Sequence, residues 1–148
     1  MYQKERQILL SIVSTIVIFG FYSLYVYRNY IAGNPEILDD FTFWGRAFLV
    51  LIPITIIVNI PIHIVFAIVN RIVTNEDIPT KDDERDKLIE LRAIRIAHWI
   101  FVVGFVSAMG AIALGMQPWL MLIIIIGSGF IGCIVSEVAK IIMYRRGF

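Results

Sequence analysis

The chain has 148 residues, 59% of them hydrophobic and 17% charged, with a net charge of +1. A soluble domain of this size is nearer half apolar and a quarter charged, so the composition points to lipid as the solvent. The near-neutral charge excludes direct nucleic acid binding through a basic face, and one cysteine, Cys133, excludes an intrachain disulfide and a Cys-based metal centre.

Crossing roughly 30 Å of hydrocarbon takes about 20 apolar residues. Four spans are read, at residues 8–27, 46–70, 94–116 and 118–142. Backbone in lipid must bond internally, so each should be a helix. The first, "ILLSIVSTIVIFGFYSLYVY", follows Lys4 and Arg6 as a secretory signal would. Its apolar core is too long, and it ends on aromatics rather than a small-residue cleavage site, so it reads as a retained anchor.

The outer link "RNYIAGNPEILDDFT" has Asn34-Pro35 as a turn signal and Asp39 or Asp40 as a possible cap for span two. Span two carries Pro53 and Pro61, each of which removes a backbone hydrogen bond and favours a bend. It also carries Asn59 and His63, four apart and so on one face, followed by Asn70.

Between spans two and three lies a charged segment, with nine charged residues from Asp82 to Arg95. Pro79-Thr80 reads as a helix start with Thr80 as the cap. Asp82, Asp83, Glu84 and Asp86 follow where a helix dipole favours acids. Leu88, Leu91 and Arg95 share one stripe, and Ile89, Ala93 and Ile96 another. No breaker separates this segment from span three, so a helical cytoplasmic segment over residues 80–95 should run on into the membrane. Its acids are expected to be exposed, so nothing would tune them for catalysis. The spacing and the missing glycine exclude an EF-hand loop.

Span three has Gly104 and Ala108, then Ala111 and Gly115, each pair four apart. After the tight link "GMQPW", with Pro118 suited to a first helical turn, span four has Ser128, Gly132 and Ser136 in steps of four. Small residues at this spacing let helix backbones approach closely in lipid. Spans three and four should be antiparallel neighbours, the alternative being a homodimer face.

Eleven of the thirteen basic residues fall at the amino terminus, between spans two and three, or at the carboxyl terminus. The positive-inside rule then puts both termini in the cytoplasm. The fold class is an all-α membrane protein, a single integral domain over residues 1–148. It is a four-helix transmembrane bundle whose third helix extends into the cytoplasm.

Polar groups inside a membrane mark function or helix packing. At about 1.5 Å per residue, His63 and Glu137 both lie roughly 12 Å inside the cytoplasmic boundary. A binding pocket could therefore combine Asn59, His63, His98, Glu137 and Lys140. The alternative is packing glue, with Glu137 paired to Lys140 along one helix face. The histidines differ in depth by roughly 7 Å, which excludes a bis-His haem. No short-spaced ligands support a metal, so no cofactor is expected.

The stretch "DERDKLIELRAIRIAHW", Asp83 to Trp99, resembles the D-E-R-D-x-x-I-x-x-x-A stretch of a family of small prokaryotic four-span membrane proteins. Several of these are encoded beside a small helix-turn-helix regulator. The resemblance implies an integral membrane protein with a cytosolic regulatory partner and carries over no catalytic residue. Asp83, Glu84, Arg85 and Asp86 are the residues it would assign to partner docking. The expected function is non-enzymatic and sensory or regulatory, in the inner (plasma) membrane, with the lipid bilayer, a homodimer mate or a cytosolic regulatory protein as partners. The alternative is a small proton-linked transporter or channel using the polar residues of spans two and four.

Overall fold

The computed structural model describes residues 2–74 and 83–146. Among them are four long helices and no strand: α1 Tyr2–Val26, α2 Phe41–Thr74, α3 Glu84–Ala113 and α4 Pro118–Arg145. All four are long and apolar enough to cross a membrane, and the chain is a multi-pass membrane protein built as a four-helix bundle. The helices overrun the apolar runs that mark them. At 34 residues, α2 would be about 51 Å long. That exceeds the hydrocarbon thickness, so it must tilt or project beyond it.

Local chemistry explains where the helices begin and end. Asp40 Oδ1 accepts the Thr42 N–H at 2.8 Å and so caps α2, which decides between the two candidates Asp39 and Asp40. Gly115 has φ +77°, a conformation that glycine adopts without the Cβ penalty, and it turns the chain out of α3. Pro118 then opens α4 in the first turn, where its missing N–H has no helical partner to lose. Between α1 and α2 the chain makes a π-helical turn at Tyr27–Ile31 and a 3₁₀ turn at Pro35–Asp39.

The α3–α4 pair is the most closely packed part of the bundle, and small residues make it so. Ala93, Ala108, Ala111, Ser128, Gly132 and Ser136 are all buried. A Cβ on Gly104 would collide with the Ser128 side chain, and one on Gly132 would sit 3.2 Å from the Ala97 carbonyl oxygen. The antiparallel pairing expected of these spans is therefore present. Ser128 and Ser136 donate to Ile125 O at 2.7 Å and Cys133 O at 2.8 Å. Their hydroxyls are satisfied on their own helix, which lowers the cost of burying them.

Beyond that pair, α4 packs on α1 and α1 on α2. Phe19 of α1 stacks on Phe130 of α4 at 4.1 Å between ring centroids. Tyr22 of α1 donates to the Ala47 carbonyl of α2. Among the described residues, α2 makes no extended contact with α3 or α4. The contacts thus run α3–α4–α1–α2, with α2 at the edge. The start of α1, the start of α3 and the end of α4 share one end of the bundle.

Candidate functional site

The shared end carries the charged segment, and its geometry centres on Asp86. Asp83 is the N-cap of α3, with extended backbone, and its Oδ1 accepts the Glu84 N–H at 2.7 Å. Asp86 closes a capping box, its Oδ2 accepting the Asp83 N–H at 3.1 Å. Thr80, the cap expected from the sequence, lies outside the described residues, as do Pro79 and Asp82. The helix start within the described residues is set by Asp83 instead. D-x-x-D has the spacing of a capping box, and that was the signal for it.

Asp86 also reaches two other helices. Its Oδ1 accepts the Tyr144 hydroxyl of α4 at 2.8 Å, and its Oδ2 accepts the Lys4 ammonium of α1. Beside this clasp, Arg145 Nε lies 3.5 Å from Glu5 Oε2. The Asp86 side chain is only 15% exposed. The expectation that every acid here would be exposed and untuned fails at this residue. The bonded Lys4 ammonium holds the Asp86 carboxyl below the usual carboxylate range, against the opposing effect of partial burial. The Tyr144 hydroxyl and the Asp83 N–H act in the same direction as Lys4.

Within the D-E-R-D motif the four residues have separate surroundings. Asp83 caps, Asp86 clasps, and Glu84 is exposed. Arg85 is half-buried, with Nε and Nη2 shielded from solvent and without a hydrogen-bond partner among the described residues. The two apolar stripes of the helix also differ. Ile89 is 2% exposed and Ala93 is fully buried, whereas Leu88 and Leu91 are 56% and 63% exposed.

The intramembrane polar residues are distributed over separate helices. Asn59 Oδ1 lies 2.9 Å from the Ser14 hydroxyl of α1, and Asn59 Nδ2 donates to Thr55 O at 2.9 Å. Ser14 has one proton, which serves either Asn59 or the Ser11 carbonyl at 3.0 Å. The prolines orphan the carbonyls of Leu49 and Ile57, four residues before each. The polar side chains of this stretch bond to other carbonyls: Thr55 donates to Leu51 O at 2.8 Å.

His63 is half-buried on α2 and has no hydrogen-bond partner among the described residues. Glu137 is on α4, where its Oε1 accepts from Lys140 at 2.9 Å along one helix face. His98 is exposed and meets the edge of Trp99. The bonds of Asn59 and Glu137 run to α1 or within their own helices. Among the described residues, no hydrogen bond or ion pair joins the five residues into one cluster. Among the described residues, no three His, Cys, Asp or Glu side chains gather as metal ligands.

Sequence reasoning missed Lys4, Glu5, Tyr144 and Arg145 as members of this site. Their only sequence signal is position, since each falls within the first turn of α1 or the last turn of α4, just beyond an apolar span. Comparison with protein-family models, curated proteins and solved structures finds no match to this chain.

Proposed function

We propose that the chain is a non-enzymatic protein of the inner (plasma) membrane, with both termini in the cytoplasm, that presents the start of α3 to a cytosolic regulatory protein. One observation carries this reading. The start of α3 is fixed to α1 and α4 by the Asp86 clasp, yet it turns Leu88 and Leu91 outward beside exposed Glu84 and Lys87. Glu84, Leu88 and Leu91 lie at i, i+4 and i+7, the anchor spacing by which a helix face enters a partner's groove. A rigid face also loses less entropy on binding than a mobile one.

The proposed roles within the D-E-R-D motif follow. Asp83 and Asp86 set the helix start, and Glu84 supplies charge to the docking face. The motif's resemblance to proteins encoded beside a helix-turn-helix regulator supports a partner of that kind. The transporter alternative has weaker support, because Asn59 and Glu137 already have partners on separate helices.

Two measurements test the reading. In a Cys133→Ala background, Glu84→Cys should react with a membrane-impermeant maleimide only after permeabilisation, and Glu36→Cys in intact cells. Photocrosslinking from Leu88 should give a protein adduct that disappears when Glu84→Lys and Lys87→Glu are combined. Crosslinks to lipid alone, or an adduct indifferent to the charge reversal, would remove the docking assignment.

A further inference from the structure

At the end of the bundle opposite both termini, α1 and α2 diverge around a groove of about 1020 Å³. Its walls are apolar along the spans, with Val17 and Phe21 on α1 and Val50 and Ile54 on α2. Its polar groups lie near its mouth, where Arg46, Asp40 and the tyrosines Tyr25 and Tyr30 line it. Tyr30 belongs to the π-helical turn, a rare geometry that is frequent at functional sites. Tyr22 pins the groove across its width by its bond to the Ala47 carbonyl.

The groove's dimensions and charges select its occupant. From Arg46 to Val58 the α2 wall runs twelve residues, roughly 18 Å at the helical rise. That is a little more than half of the approximately 30 Å hydrocarbon core, the depth of one leaflet. An apolar trench of one leaflet's depth, with a cation at its mouth, matches an acyl chain joined to a phosphate. Arg46 is exposed and makes no ion pair among the described residues, so its guanidinium is available for bidentate phosphate contact. Asp40 uses Oδ1 to cap α2, and its charge favours a headgroup that also carries an ammonium.

We propose that the α1–α2 groove is a specific site for one zwitterionic glycerophospholipid of the leaflet opposite the termini. Its phosphate lies on Arg46, its ammonium faces Asp40, and an acyl chain lies between Phe21 and Val50. This site is independent of the docking face on α3.

Native mass spectrometry of the full chain, released from micelles with added lipid, tests it. The probes are phosphatidylethanolamine, phosphatidylglycerol, diacylglycerol and inorganic phosphate. Wild type should retain one lipid in the order ethanolamine, then glycerol headgroup, then diacylglycerol. Arg46→Gln, an exposed change, should lower phospholipid retention about tenfold, as for loss of one charge-assisted contact, and bring it to the diacylglycerol level. Asp40→Asn keeps a capping oxygen and should remove only the preference for ethanolamine. Val50→Trp should reduce retention of all three lipids while the thermal midpoint is unchanged. A different wild-type order, Arg46→Gln retention equal to wild type, or displacement of the lipid by millimolar inorganic phosphate would overturn the proposal.

Discussion

Replacing Asp86 by Ala should be among the most damaging single changes at the end of the bundle where α3 starts. The substitution removes three interactions together. The capping-box bond to the Asp83 N–H is worth about 1 kcal/mol by analogy with helix caps. The Tyr144 hydroxyl bond at 2.8 Å adds about 1 kcal/mol. The Lys4 ion pair is 23% exposed on the lysine side and adds no more than about 1 kcal/mol after solvent screening. The expected loss is therefore about 2–3 kcal/mol, short of the cost of an orphaned buried charge, because Lys4 and Tyr144 can turn to water at this end. Asp86→Asn keeps one acceptor oxygen and should lose about 1 kcal/mol, and Tyr144→Phe about the same. Reversible unfolding by SDS titration in mixed micelles, followed by helical circular dichroism, reads these differences. The double variant Asp86→Ala, Tyr144→Phe should lose less than the sum of the singles, by about 1 kcal/mol. Strict additivity, or a loss below about 0.5 kcal/mol for Asp86→Ala, would refute the clasp.

Four further outcomes follow from the same contacts. Because its folded-state pKa is depressed, Asp86 contributes stability that is present above the ordinary carboxylate range near pH 4 and lost as pH falls through the depressed value; wild type should lose more stability than Asp86→Asn between pH 6 and pH 3 in the SDS titration. Gly104→Ala should destabilise by about 1–3 kcal/mol through collision with Ser128, while Gly129→Ala, with open space at its Cβ, should not. Asp83→Ala should cost about 1 kcal/mol through loss of the cap, whereas Glu84→Ala, at an exposed position with no side-chain bond among the described residues, should stay within about 0.5 kcal/mol of wild type. Asn59→Ala should cost about 0.6 kcal/mol, the usual scale for one interhelical hydrogen bond in a bundle of this kind.

The parts of this fold legible in the sequence rest on local signals. Each span is an apolar run long enough to cross a bilayer, and the α3–α4 contact follows from small residues spaced four apart at Gly104, Ala108, Ser128 and Gly132. Asp40, Gly115 and Pro118 act at helix ends within two or three residues of themselves, so their roles could be read directly. The Asp86 clasp could not, because its partners lie 82 residues earlier and 58 residues later. Nor could the choice between the two stripes of α3. Leu88 is as apolar as Ile89, and only the packing of α3 in the bundle decides that Ile89 is covered. Depth arithmetic put His63 and Glu137 at one level but says nothing of azimuth, and the two residues stand on helices that share no extended contact.

The two aspartates of D-E-R-D are accounted for by the start of α3. A helix that begins outside the membrane needs its first N–H groups satisfied, and Asp83 with Asp86 does this at the spacing of one turn. The same turn brings Asp86 over the ends of α1 and α4, so a cap residue becomes a three-helix tie at no further cost in sequence. That tie matters because lipid offers little hydrophobic drive for helix association. Among the described residues, α1 meets α3 through this lysine contact, whereas α4 has its own small-residue seam with α3. Loss of the clasp should therefore loosen α1, and α2 with it, before it separates α3 from α4. Hydrogen exchange on Asp86→Ala should show faster exchange at the start of α1 and unchanged protection from Gly104 to Ala111. Equal loosening of both regions would mean that the α3–α4 seam also depends on the clasp.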